Sequence, residues 1–317
     1  MKTMTIKAVT AATALFGAVA GAQAQDTNYP QQPVTWVIPF GAGGGTDQLA
    51  RLLAAEADRI FGERVTVENH AGAGGVAGWE YVLDQPADGY TIFNASPTPI
   101  ITLVSEENPP IEPTDISIVG YLSSYSALLI GGEEAFPDWE SFKQAAEDRA
   151  ITVGGTNSTL LGIANLMDQA GVEVVFVPYT STGEAVTDYL GGHIDTVATT
   201  ESTAVTIVPE NGRVIVNSSS RPLLPEIEEQ LGGDVVDAKD LGFDGISFPR
   251  WVGVHPDTPE EVKARVAELV GEVAQDPAVK EAFATAGSPI DYVGREEAAQ
   301  DYEGLVERMR SAVGLLQ

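Results

Sequence analysis

Short apolar runs alternate with amphipathic segments along most of the chain. The run Val34–Pro39 is apolar enough for a buried strand, and the glycine-rich turn Phe40–Gly45 follows it directly. A helix is predicted to open near Thr46 and to continue through Ala57, because apolar residues recur there at helical spacing. The same order begins again at Val65–Val67. Such alternation predicts an α/β fold in which a mostly parallel sheet is flanked by helices.

A second series of strands and helices occupies the middle of the chain. It follows two apolar runs, Ser117–Leu122 and Ala127–Ile130, that stand around a polar break, and it ends before the strand Trp251–Val254. Helices then close the chain, the first of them starting at the Thr-Pro-Glu-Glu sequence from Thr258. This pattern predicts one domain inserted in another, with two crossings that form a hinge. The predicted bounds are residues 25–124 plus 246–317 for the first domain, 125–245 for the second, and 120–128 and 244–252 for the hinge.

The N-terminus has the order of a secretory signal peptide. Lys2 and Lys7 precede the uncharged run Ala8–Ala20, and Ala22-Gln23-Ala24 supplies a small-residue cleavage site. The apolar run is about half of the roughly 20 residues that a membrane-spanning helix needs. We therefore expect residues 1–24 to be removed on export and the mature protein to be periplasmic.

The composition excludes several classes of protein. The 317 residues include no cysteine, so thiol catalysis and cysteine-based metal sites are ruled out. The formal net charge of −29 makes nucleic acid and anionic membrane surfaces poor partners, since both require a basic patch. The acidity is compatible with a surface adapted to high salt and equally with an ordinary acidic exported protein.

Two glycine-containing turns, one in each predicted domain, are candidates for binding an anion. Backbone N–H groups converge at the turn Phe40–Gly45, and the N-terminus of the following helix adds partial positive charge. Gly154–Thr159 repeats the device with three hydroxyls and an amide. Both turns follow strands, where ligands of open α/β folds bind, although either segment is also explained as a tight turn or a helix cap. A third segment, Gly72–Ala77, matches the dinucleotide pattern G-x-G-x-x-G/A, but the strand before it is short and polar.

The sequence gives little support for an enzyme. Its three histidines, His70, His193 and His255, are not at a metal-ligand spacing, and no nucleophile elbow is present. Arg250 is one of few cations, and its guanidinium is suited either to clamping a carboxylate or to forming a surface ion pair. We expect no catalytic residue, no metal and no cofactor.

Several motifs occur together in an order typical of one family. Pro39–Asp47 resembles a P-x-A-G-G-x-x-D loop, Val67–Gly75 resembles V-E-N-R-P-G-A-G-G, and Asp88–Thr91 is D-G-Y-T. Leu190–Asp195 is similar to L-G-G-x-V-D, and a late W-x-G begins at Trp251. By these motifs the mature chain resembles the periplasmic receptors of tripartite tricarboxylate transporters, the Bug family.

The resemblance implies a two-domain periplasmic-binding-protein fold of type II, a Venus flytrap that is monomeric and is not an enzyme. It also implies capture of a small organic acid, a di- or tricarboxylate or an aromatic acid, for the membrane subunits of such a transporter. A ligand-sensing module for a membrane sensor and, less favoured, an exported enzyme on the same fold remain alternatives. The residues expected to line the site are Phe40, Ala42, Gly43, Asp47, Ser96, Thr156, Asn157, Ser158, Thr159, Tyr179, Thr199 and Thr200.

The chain departs from the family pattern at the second-domain side of the site. The turn after Gly154 lacks the inner glycines and the histidine that are frequent there, and Thr180 replaces a lysine. Thr199 and Thr200 stand where an Asp-Asn pair is frequent. An amine-bearing ligand is therefore disfavoured, because its ammonium group would need a carboxylate partner.

Overall fold

The computed structural model describes residues 28–219 and 222–316. The predicted signal peptide lies outside the described residues. Within them, no helix combines the length and the apolar character that crossing a membrane requires. The strands are β1 Val34–Ile38, β2 Val65–Asn69, β3 Thr91–Ala95, β4 Ser117–Ser126, β5 Leu128–Gly131, β6 Thr152–Gly155, β7 Val175–Pro178, β8 Thr196–Thr199, β9 Arg213–Asn217, β10 Ser247–Val254 and β11 Val293–Gly294.

Helices follow most of these strands directly. They are α1 Gly45–Phe61, α2 Val76–Leu83, α3 Pro97–Ser105, α4 Trp139–Asp148, α5 Asn157–Ala170, α6 Thr182–Leu190, α7 Glu201–Asn211, α8 Pro225–Gln230, α9 Glu260–Gln275, α10 Pro277–Thr285 and α11 Arg295–Ala312. Two 3-10 turns, Ala73–Gly75 and Val313–Leu316, complete the described elements.

Two sheets form two bodies, which confirms the predicted two-domain α/β fold. The first sheet has the strand order β11-β4-β10-β3-β1-β2, and the second has the order β7-β6-β8-β5-β9. Among the strands of the described residues, parallel pairs are formed by β1 with β2 and β3, and by β6 with β7 and β8. The sheets are thus mixed and not mostly parallel as expected. The strands that connect the bodies run in opposite directions, one leaving and one returning, so they pair antiparallel.

The crossing between the bodies is a pair of strands. β4 pairs with β10 from Ser117 opposite Val254 to Ser126 opposite Ser247. After Ala127 the chain enters β5 of the second sheet. The polar break expected after Leu122 is therefore the continuation of one long strand.

The apolar core covers both faces of the first sheet and continues into the second body. On one face Trp36 packs with residues of α1 and α9. On the other face the cluster around Trp79 and Trp251 is continuous with Phe248 and with Leu161 of α5. The two bodies consequently share apolar contacts beside the crossing strands.

Sheet topology brings the starts of several helices together. In the first sheet, α1 and α3 begin just beyond the carboxyl ends of the parallel strands β1 and β3. In the second sheet, α5 and α7 begin just beyond the parallel strands β6 and β8. The carboxyl ends of parallel strands are the edge at which open α/β sheets bind ligands.

Candidate functional site

One cavity lies where five helices begin. Its lining includes the residue that immediately precedes each helix, and these residues are Gly44 before α1, Ser96 before α3, Thr156 before α5, Ser181 before α6 and Thr200 before α7. Its free volume is about 30 Å³, room for about two water molecules, so a ligand can enter only when the cleft opens. Because each helix N-terminus presents backbone N–H groups and partial positive charge, the cavity suits an anion.

Local sequence fixes where these helices begin. Proline follows Ser96 at the first position of α3, where its missing N–H costs nothing. At α5 the Thr156 N–H donates to Thr159 Oγ1 at 3.1 Å, and at α6 the Glu184 N–H donates to Ser181 Oγ at 3.3 Å. At α5 and α6, short hydroxyl side chains thus cap the helix N-terminus at the cavity and remain in its lining.

Asp47 supports the first glycine turn from behind. Its carboxylate, only 3% exposed, accepts from the Gly43 N–H at 2.9 Å, from Arg51 Nε at 3.1 Å and from Asn69 Nδ2 at 2.9 Å. Asn69 Nδ2 also donates to the Phe40 carbonyl at 3.0 Å. Burial alone would raise the pKa of Asp47, but the hydrogen bonds from Arg51, Gly43 and Asn69 outweigh it and lower that pKa. The ionised carboxylate therefore fixes the shape of the turn.

Hydroxyl groups connect the two bodies across the cavity. Ser158 Oγ of α5 lies 2.7 Å from Thr98 Oγ1 of α3 and 2.6 Å from the Tyr125 hydroxyl. Nearby, Asn157 Nδ2 donates to Thr102 Oγ1 at 3.0 Å. Burial raises the pKa of Tyr125 and outweighs the lowering effects of the Ser158 hydrogen bond and the Arg250 charge, so its hydroxyl stays neutral. The α3 and α5 N-termini therefore face each other at hydrogen-bonding distance.

Arg250 lies in the lining of the cavity and not on the surface. The residue is 2% exposed, and its Cζ atom lies 4.3 Å from the centre of the Tyr125 ring. Its Nη1 donates to Ser288 Oγ at 2.9 Å. The sequence left open whether Arg250 clamps a carboxylate or forms a surface ion pair, and its burial argues against the surface ion pair.

The structure brings about half of the sequence-predicted residues to the cavity. Those in its lining are Phe40, Ser96, Thr156, Ser158, Thr159 and Thr200. The other six are not in the lining. Ala42, Gly43 and Asp47 lie in and behind the first glycine turn, and Asn157 is hydrogen-bonded to Thr102. Thr199 is buried at the end of β8, and the Tyr179 hydroxyl donates to Asp188.

Seven lining residues were not expected from the sequence, and the role of an eighth, Arg250, was left open. The seven are Gly44, Gly45, Thr46, Thr98, Tyr125, Ser181 and Thr182. The hydroxyl pair at the start of α6 carried a usable signal, since a serine before an amphipathic segment predicts a helix start. Tyr125 has no such sequence signal, because it lies in the polar stretch that predicts a break between two strands.

The sequence match decides the family. Residues 49–312 match the family described as "Tripartite tricarboxylate transporter family receptor". The chain belongs to this family. Members are periplasmic solute-binding proteins and not enzymes. One relative, a UPF0065 protein in the TAR-I ttuE-ttuC' intergenic region of Agrobacterium vitis, is 30% identical, and the match covers 92% of this chain and 86% of that protein.

Two solved structures with bound organic acids have the same fold as this chain. A Rhodopseudomonas palustris protein with adipate superposes with a TM-score of 0.81 at 21% identity, covering 91% of this chain and 98% of that one. MatC from the same organism, with bound malate, gives a TM-score of 0.77 at 22% identity, covering 90% of this chain and 100% of that one. At these identities the likeness establishes the fold of the receptor and leaves its ligand to be argued from the cavity.

Proposed function

We propose that this receptor captures a small organic carboxylate, a di- or tricarboxylate or an aromatic acid, and delivers it to the membrane subunits of a tripartite tricarboxylate-type transporter. The observation that carries the proposal is the cavity at the starts of α1, α3, α5, α6 and α7. Among the described residues of its lining no Asp or Glu occurs, although the chain as a whole carries 46 of them. An anion therefore meets donors and a cation in the lining itself. Two buried carboxylates, Asp47 and Glu201, stand outside the lining and accept backbone N–H groups of Gly43 and Ser126.

The lining favours a polar, aliphatic acid within that class. Its side chains are mostly serine and threonine hydroxyls, and Phe40 and Tyr125 are its aromatic members. Proteins of the same fold carry malate and adipate. Since Thr199 and Thr200 replace a frequent Asp-Asn pair, a zwitterionic amino acid would lack a partner for its ammonium group.

The proposed cycle uses the paired crossing strands as a hinge. We place the first domain at residues 25–124 plus 246–317 and the second at 125–245, with hinge segments near 120–128 and 244–252. Ligand favours the closed form, because only that form contacts it from both bodies, and the membrane subunits recognise closure. We propose further that residues 1–24 are a signal peptide removed on export and that the mature protein acts as a monomer in the periplasm.

A thermal-shift screen of the mature chain tests the proposal. The panel contains mono-, di- and tricarboxylates, aromatic acids and amino acids. A ligand at 100 times its dissociation constant stabilises the folded state by about 2.7 kcal/mol, which moves the midpoint visibly. We expect one class of acids to raise the midpoint and to be recovered unchanged by mass spectrometry.

A blocked variant and a matched control identify the cavity as the binding site. Gly44→Phe fills the cavity, because Gly44 lines it and the nearest atom to an added Cβ is the Gly41 carbonyl oxygen at 3.8 Å. Gly132→Phe adds the same ring where no atom lies within 4 Å of the Cβ. The first variant should lose the ligand-induced shift and the second should keep it. A panel without any shift, or a ligand that is consumed, contradicts the receptor proposal and favours a sensor for another ligand or an enzyme.

A further inference from the structure

Arg250 is the charged side chain of the cavity. Of the described residues that line it, the other polar members are serine, threonine and tyrosine. Arg250 lies on β10 at a register shift between Arg250 and Trp251, where β10 pairs with β4 close to the crossing between the two bodies. A buried cation at this point is therefore part of both the hinge region and the ligand cavity.

The guanidinium group is held in a fixed orientation. The Tyr125 ring lies against its face, with 4.3 Å between Cζ and the ring centre, and the Ser288 hydroxyl accepts from Nη1 at 2.9 Å. The Tyr125 hydroxyl in turn lies 2.6 Å from Ser158 Oγ, across the cavity. An arginine that is positioned in advance loses less conformational entropy when it binds a carboxylate.

The polar groups of the cavity form two separate sets of contacts. In one set the first turn of α1 meets α7, because a Cβ built on Gly45 would lie 2.7 Å from Ser202 Oγ and 3.0 Å from Thr200 Oγ1. In the other set the Tyr125 side chain contacts both the Arg250 guanidinium and Ser158 Oγ. The first set offers helix N-termini and the second offers a full positive charge.

We propose that Arg250 is the specificity-determining residue that selects ligands with a second carboxylate. Helix N-termini hold one carboxylate, and the Arg250 guanidinium pairs with the other. This inference rests on the proposed function and adds to it the charge of the ligand and the residue that recognises it.

The chemistry of the two sets explains why the selection depends on Arg250. The backbone N–H groups at the helix N-termini only donate, so they too favour a carboxylate over an amide, and a half-amide loses a contact in whichever orientation it binds. A guanidinium only donates, and its planar fork matches the two oxygens of a carboxylate. The NH₂ group of an amide would instead face donors and remain unpaired.

A ligand–protein double-mutant cycle tests the proposal. Succinate, glutarate and adipate are each compared with their half-amides, which have nearly the same shape and one charge less. Binding to the mature wild-type protein and to Arg250→Gln is measured by titration calorimetry. The wild type should prefer the best diacid over its half-amide by roughly ten- to a hundredfold, and Arg250→Gln should reduce that ratio to about one.

The cycle separates recognition by Arg250 from a structural role. If Arg250→Gln weakens diacid and half-amide by the same factor, Arg250 only supports the fold, and the proposal is wrong. Should Arg250→Gln fail to fold by circular dichroism, Arg250→Lys decides the matter, since it keeps the charge without the fork. A reduced ratio in Arg250→Lys supports the proposal, and an unchanged ratio contradicts it.

The same titrations distinguish the failure of this inference from that of the proposed function. If the wild type binds none of these acids or the wider carboxylate panel, the proposed function fails and the inference fails with it. If the wild type binds half-amide and diacid equally well, carboxylate capture stands and the role of Arg250 is refuted.

Discussion

Replacing Gly45 with alanine should weaken ligand binding while leaving the fold intact. Gly45 is the first residue of α1 and lines the cavity. Its added Cβ would lie 2.7 Å from Ser202 Oγ and 3.0 Å from Thr200 Oγ1, both at the start of α7. Because α7 packs on β5 and β9 of the second sheet, the clash separates the two bodies. Opening the cleft relieves this clash, so the substitution destabilises the closed form and not the open form.

The size of the effect follows from the shortfall in distance. Ordinary contacts of a Cβ atom begin at 3.4 Å, so the pair must separate by several tenths of an ångström. Overpacking of this kind costs about 1–3 kcal/mol, part of which rotation of the Ser202 hydroxyl relieves. If the substitution destabilises only the closed form, by about 1.4 kcal/mol, the affinity for ligand should fall about tenfold.

Titration calorimetry with the best acid of the screen measures this loss. Gly183→Ala is the matched control, since a Cβ there meets no atom within 4 Å. Ser202→Ala removes the closest atom, so the Gly45→Ala/Ser202→Ala double variant should recover most of the affinity relative to Ser202→Ala alone. Wild-type affinity in Gly45→Ala, or no recovery in the double variant, would refute the assignment of α1 and α7 to opposite sides of a closing cleft.

Three further predictions concern stability and charge. Ser158→Ala should lower the free energy of unfolding in urea by about 1–3 kcal/mol, because two buried hydroxyls lose a partner. Ser105→Ala, whose hydroxyl bonds the carbonyl of Ile101 in its own helix, should cost less. Asp47→Asn should be less stable than wild type at pH 7. The gap should begin to narrow at about pH 4, the unfolded pKa, and should close only below the lowered pKa of the folded state, because the carboxyl stabilises the fold only while ionised. A constant gap would contradict this. Carboxylate affinity should rise as NaCl increases from about 10 to 150 mM, and a steep fall would indicate a basic approach surface.

The sequence predicts the fold well where hydrophobic pattern and turn residues agree. The strand predicted at Val34–Pro39 and the helix predicted from Thr46 correspond to β1 and α1. It fails at the crossing, where Ser123–Ser126 continue β4 instead of breaking it. These serines pair with the returning strand β10, and a contact between residues more than 120 positions apart leaves no local pattern.

The candidate site was predictable to the level of the turn but not of the residue. Both turns predicted to bind an anion lie at the cavity, yet Gly44 and Gly45 line it where Ala42 and Gly43 were expected. A shift of one or two residues along a turn changes which groups point into the cleft, and only the packed structure fixes that choice. Arg250 was ambiguous because arginines are almost never fully buried unless they are paired.

An acidic receptor can bind the proposed anion at this cavity, because the attraction is local and the repulsion is remote. One net negative charge about 15 Å away in water repels a ligand charge by about 0.3 kcal/mol, and screening at physiological salt reduces this about sevenfold. The net charge of −29 then opposes binding by only about 1 kcal/mol at that mean distance. One helix N-terminus, acting as about half a positive charge at about 4 Å in an effective dielectric of about 20, contributes about 2 kcal/mol of attraction. Five helices begin at the cavity and Arg250 lies in its lining. The attraction of one or two helix N-termini is therefore enough to exceed the repulsion by the net charge. At about 10 mM salt the screening is largely lost, which is why the affinity should be weakest there.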